Sequence, residues 1–167
     1  VASGRGDQVT VIAFADRILR TVRVRPGARG AAAAYAALFD IEAELKESAY
    51  ELAAEAVDSL DSPRTVALLM TSVVDIAAAE SVRASLAMLK KRHRPILVNL
   101  EDPDLHRLGA SEGRTTLDAF AKTGALGILA GNRRMAARLR HAGIAVASVS
   151  AKDLASETLQ VYLQRAG

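Results

Sequence analysis

The chain has no cysteine and no tryptophan among 167 residues, and aromatics are only 4% of it. Without a thiol there is no disulfide framework, no thiolate nucleophile and no thiolate ligand for a metal. Three Tyr and three Phe leave little material for stacking on nucleic-acid bases. No apolar run approaches the ~20 residues that cross a bilayer, and no signal-peptide pattern is visible. The expectation is therefore a cytoplasmic piece that makes no membrane contact of its own. Histidine is scarce too: His93, His106 and His141 are the only three, and none is followed by a second ligand at helical zinc spacing. A Gly-x-Gly-x-x-Gly after a strand is missing, so a dinucleotide site has no support. Gly27 and Gly30 are not a phosphate loop, because no Lys-Ser/Thr follows them.

What is present is an ordinary globular composition, 50% hydrophobic and 25% charged, in a chain long enough for one domain, 1–167, with a substantial core. The net charge is only +3, but it is laid out in blocks. Arg17, Arg20, Arg23, Arg25 and Arg29 make the early region basic. Asp40, Glu42, Glu44, Glu47, Glu51, Glu55, Asp58 and Asp61 make the next one acidic. Basic residues return at 90–94 and around Arg133, Arg134, Arg138 and Arg140. Such blocks read first as solvated helix faces and second as a bipolar surface that docks on a charged protein. They are dispersed and not interleaved with aromatics, so no nucleic-acid partner is expected.

Short apolar runs alternate with helical stretches. Strands are predicted at Val9 to Phe14, Val66 to Met70, Ile96 to Leu100 and Ile144 to Val149. Leu19 to Arg25 alternates, with Val22 and Val24 opposite Thr21, Arg23 and Arg25, as an antiparallel edge strand does. A Gly turn is expected at Gly4 and Gly6, and a helix from Gly30 to Leu45. Ser48 and Glu51 have the spacing of a capping box for a helix reaching Leu60, stopped by Asp61-Ser62-Pro63. Ile76, Ala79, Val82, Leu86 and Leu89 form one helical stripe, with Asp75 placed as its N-cap. Thr115 or Thr116 caps a helical region reaching His141, loosened by Gly124, Gly127, Gly131 and Asn132. Glu101, Asp102 and Asp104 read as loop and helix-start chemistry, and Ala151 to Gln164 as a closing helix. The alternation predicts a three-layer, doubly wound, mostly parallel α/β sheet. Its four central parallel strands would carry the chemistry at their carboxyl ends.

Several phrases in order resemble a known family. They are Arg5-Gly6-Asp7 before Val9 to Phe14, Glu47-Ser48-Ala49-Tyr50, Leu69 to Asp75, Lys91 to Val98, Asp102-Pro103-Asp104-Leu105 and Leu159 to Leu163. Together the chain is similar to the C-terminal part of family fifty-eight of the bacterial domains of unknown function, which contains von Willebrand factor A-like domains. The resemblance implies an A-type fold lacking its first strand and helix, with the Asp-x-Ser-x-Ser motif of the metal-ion-dependent adhesion site upstream of Val1. It implies that Ser48 and Ser72 occupy the second and third positions of that site, with Asp75 as the nearby carboxylate. Ser72 stands where the family usually has an acid, so the site is incomplete. No cofactor is expected in this piece, and Mg only in a longer protein. The resemblance further implies a non-enzymatic adaptor that works with a MoxR-type AAA+ ATPase in protein assembly or activation. Many members carry membrane segments upstream, so a membrane tether through such a region belongs to the same expectation. A lost central strand would leave Val9–Phe14 and Val66–Met70 with a gap between them, for which a homodimer is the favoured remedy. The competing expectation is a Rossmann-like phosphatase or nucleotide-binding enzyme using the strand-end carboxylates Asp16, Asp75 and Asp102.

Overall fold

The computed structural model describes residues 7–42, 46–60, 64–73, 75–113 and 115–166. The Gly turn expected at Gly4 and Gly6, Leu45 itself, and the stop at Asp61-Ser62-Pro63 lie outside the described residues. The chain divides into two compact units, Val1–Ala56 and Val57–Gly167.

The first unit begins with β1 (Val9–Phe14) and β2 (Ile18–Val24), a two-stranded antiparallel sheet. Val9 pairs with Val24 and Ile12 with Thr21, and the register shifts between Ala13 and Phe14. Three residues join the strands. So short a link permits only an antiparallel neighbour, since a parallel one needs a long crossover. β2 is thus antiparallel as its alternation predicts. The expectation that β1 is a central parallel strand is corrected: its one strand partner among the described residues is β2. All six of its residues are only half-buried, unlike the fully buried run of a central strand.

Gly27, at φ 90°, turns the chain into α1 (Ala28–Leu38). Gly30 is needed where it stands: a Cβ there would come within 1.7 Å of the Arg25 carbonyl oxygen. The helix stops at Leu38, well before the expected Leu45. α2 (Tyr50–Asp58) buries Tyr50, Ala53 and Ala54. Tyr50 meets Phe14 edge-on at 5.8 Å between ring centroids, and the Ala49 N–H donates to the Ala15 carbonyl at 2.7 Å. The helix begins at Tyr50, whose N–H donates to the Ser48 carbonyl.

The second unit is a mixed α/β structure built on a three-stranded parallel sheet. Its strands are β3 (Val66–Thr71), β4 (Arg94–Leu100) and β5 (Ala145–Val149), in the order β3-β4-β5. Ile96 aligns with Leu68 on one side and Ala145 on the other. β4 is central and carries five consecutive buried residues, Pro95 to Asn99. β3 was expected to be central. It is an edge, with Met70 48% exposed, because among the described residues only β4 pairs with it.

Helices cover the sheet. Between β3 and β4 runs α3 (Ile76–Leu89). Between β4 and β5 run α4 (Pro103–Ala110) and the 26-residue α5 (Thr116–His141), and α6 (Leu154–Ala166) closes the chain. Leu154 and Val161 of α6 pack on the sheet face formed by Ile96, Val98, Ala147 and Val149. α3 packs against α5 and β4, and α5 against β5. Side chains alternate along a strand, so Leu97 and Asn99 serve the face opposite Ile96 and Val98. No helix among the described residues is long and apolar enough to cross a membrane.

Candidate functional site

The carboxyl ends of β3, β4 and β5 come together at one edge of the second unit, where an open α/β sheet offers its backbone and loop groups to a ligand. Beyond Thr71 the chain passes through an exposed Ser72 and a buried Val73 to Asp75. The Asp75 carboxylate accepts the Ala78 N–H at 2.7 Å and is the N-cap of α3. At the end of β4, the Glu101 N–H donates to the Val149 carbonyl, and Glu101 Oε2 meets His106 Nε2 at 2.8 Å. Asp102 accepts the Asp104 N–H at 2.9 Å and caps α4, with Pro103 at its first position. Asp104 pairs with Arg107 one turn on. After β5, Ser150 Oγ donates to Asp153 at 2.7 Å.

The residue that ties these ends together is Asn99, which the sequence reading did not single out. It is 1% exposed, and its Oδ1 accepts the Val73 N–H at 3.1 Å, fastening the β3 exit loop to β4. Its Nδ2 is buried with no partner among the described residues. An unpaired buried donor of this kind costs about 1–3 kcal/mol. The available signal is a polar residue inside an otherwise apolar strand.

Of the expected adhesion-site residues, Ser72 and Asp75 lie three chain positions apart on the β3–α3 connection, and Ser48 belongs to the first unit. The donor set in the second unit does not fit magnesium. The ion wants one or two free carboxylates in octahedral oxygen coordination. Ser72 offers a neutral hydroxyl, and one Asp75 oxygen is engaged by the helix. Among the described residues no group of three His, Asp or Glu side chains is placed to hold a metal ion.

The carboxylates of the enzyme expectation are also held. Asp75 and Asp102 are caps. Asp16, in the first unit, accepts from Arg17 at 2.9 Å and Lys46 at 3.2 Å. Desolvation acts on its carboxyl, yet the Lys46 and Arg17 cations prevail and hold it below the ordinary carboxylate value.

Two other polar places lie by the amino ends of the strands. His93 is fully buried at the start of β4. Its Nδ1 accepts the Thr65 N–H at 3.4 Å and its Nε2 faces Asp58 Oδ1 at 3.3 Å, which assigns the proton to Nε2. Arg92 reaches the same carboxylate at 3.0 Å and the Asp58 carbonyl at 3.2 Å. This cluster ties Asp58 and Thr65 to the start of β4 within the second unit. A shallow pocket of about 350 Å³ lies between α3 and α5, lined by Glu80, Arg83, Ala87, Arg138, Leu139, Ala142 and Ile144. Glu80 is bridged there by Arg83 at 2.8 Å and Arg138 at 3.6 Å. The Arg83 guanidinium beside it is the main reason its carboxyl stays below the ordinary range.

Compared with protein-family models, with curated proteins and with solved structures, the chain matches none.

Proposed function

We propose that the chain is a non-enzymatic protein-binding module, an A-type α/β domain that serves as an adaptor for a MoxR-type AAA+ ATPase. The observation that carries the binding part is exposed apolar surface. Tyr35 and Phe39 on α1 are 69% and 75% exposed, and Leu117 and Phe120 on α5 are 77% and 72% exposed. Three of the chain's six aromatic side chains are among them, in a sequence with few large apolar groups to spare. Tyr35 and Phe39 lean on each other at 5.8 Å between centroids without burying either ring. Aromatics presented in this way are typical anchors of protein interfaces. The strand-end acids point the same way, because Asp16, Asp75 and Asp102 are engaged by ion pairs and helix caps. The A-type fold and the ATPase partner follow from the resemblance of the quoted phrases.

The test is binding of the purified chain to an immobilised MoxR-type ATPase from the same organism. Saturable binding is expected, weakened at least about tenfold by Tyr35→Ser with Phe39→Ser or by Leu117→Ser with Phe120→Ser. No binding at about 100 µM, or binding indifferent to both pairs, overturns the reading. So does turnover of phosphate esters that Asp75→Asn abolishes.

A further inference from the structure

Opposite charges in the first unit do not all neutralise one another. Arg17 and Lys46 share Asp16, and Arg20 grips Asp40 at 2.7 Å. Arg23 and Arg25 are exposed, and neither makes an ion pair among the described residues. Arg23 leaves one face of β2, and Arg25 follows two positions on, one residue past the strand's end and before Pro26, which favours an extended backbone, so the two lie about 6.7 Å apart. Thr21 shares that face, and Thr10 is the cross-strand partner of Arg23, so the surface is polar and rich in donors. On α2, Glu51 and Glu55 are likewise exposed and make no ion pair among the described residues. They are one turn apart, about 6 Å along the helix axis, with Leu52 44% exposed beside them.

We propose that the protein associates with a second copy of itself, Arg23 and Arg25 of each copy meeting Glu51 and Glu55 of the other about a two-fold axis. A row of two guanidiniums and a row of two carboxylates, each with nearly the same spacing, are present in one unit and make no ion pair among its described residues. A two-fold arrangement satisfies both rows at once, because contact between patch and counter-patch occurs twice. Arg forks suit carboxylates in this role. The exposed Leu52 adds apolar contact between the charged pairs. Nucleic acid suits the surface less well: the basic row carries no aromatic side chain on which a base could stack. The proposal rests on this charge layout and stands apart from the adaptor reading.

The test is sedimentation velocity on the full chain and two charge-reversed variants, R23E/R25E and E51R/E55R, each checked for an unchanged circular dichroism spectrum. The native chain dimerises, and its dissociation constant rises about tenfold between about 50 mM and about 500 mM sodium chloride. Either variant alone is monomeric, since each places like charges against like. Mixed in equal amounts, the two variants recover a dimer, now a heterodimer, because every reversed row meets its complement. Four results overturn the proposal: a native monomer at about 200 µM in low salt, a dimer indifferent to salt, a dimer retained by either variant alone, or a mixture that stays monomeric. The salt series on the native chain decides the matter even if a variant fails to fold.

Discussion

His93 shows how much one side chain contributes at the residue scale. With no exposed side-chain area it fills core volume and accepts a backbone N–H. His93→Ala is expected to cost about 2–4 kcal/mol, from the cavity and the lost polar contacts together. Urea unfolding measures it, and a change within about 0.5 kcal/mol would show that the cluster contributes nothing. Asp75 is a cap. Asp75→Ala should therefore cost about 1 kcal/mol while Asp75→Asn keeps most of the stability; equal losses in the two variants would argue against the cap. Arg20 bonds Asp40 at 2.7 and 3.3 Å, and that bond chiefly holds the carboxyl below its ordinary value of 3.8. A carboxyl lowered in the folded state favours folding above its unfolded value, and the benefit is lost as pH falls from 3.8 through the folded value. Arg20→Gln should return the Asp40 titration toward 3.8, read from its carboxyl carbon by NMR. An unmoved titration would refute the pairing.

Elements test the same physics over longer stretches. α5 was expected to be loosened by Gly124, Gly127 and Gly131, yet it is helical throughout. A reciprocal capping box between Thr115 and Asp118 starts it, and Arg138, Arg140 and His141 in its last turn suit the negative end of the helix dipole. Ala125, Leu129, Asn132, Met135, Ala136 and Leu139 are its buried stripe. The three glycines have open space where a Cβ would go. Replacing each with alanine should stabilise the protein by about 0.5–1 kcal/mol, since only chain entropy and helix propensity change. Gly30→Ala should instead cost about 1–3 kcal/mol, because its Cβ collides with the Arg25 carbonyl. Thermal melts of the four variants check the contrast, and destabilisation by the α5 substitutions would mean that a partner covers that face.

For the whole molecule the distribution of core matters. Among the described residues the buried apolar side chains of the first unit are Ala34, Tyr50, Ala53 and Ala54. The second unit buries Val82, Leu86, Leu89, Ile96, Leu97, Val98, Leu129, Met135 and Leu139, among others. Apolar burial is the main favourable term, so opening should be cheaper in the first unit. Hydrogen exchange should show the amides of β1 and β2 exchanging well before those of β4. Equal protection of the two sets would mean that the chain opens only as one cooperative body.

Local chemistry made much of this protein legible in its sequence. Strand and helix alternation, the antiparallel character of β2, Asp75 and Thr115 as caps and the position of the last strand follow from periods of two and 3.6 and from contacts within one turn of chain. Sheet membership was a different matter. Val9–Phe14 and Val66–Met70 read as equivalent apolar strands, and apolar composition does not say which neighbour a strand hydrogen-bonds to. Only closure of the ladders made β1 half of a hairpin and β3 an edge. The same holds for polar groups. The burial of Asn99 and His93, and the pairing of Arg20 with Asp40 while Arg23 and Arg25 make no ion pair among the described residues, depend on residues brought together from 20 to 35 positions apart. Contacts of that range carry no local pattern, so the tertiary structure alone decided them.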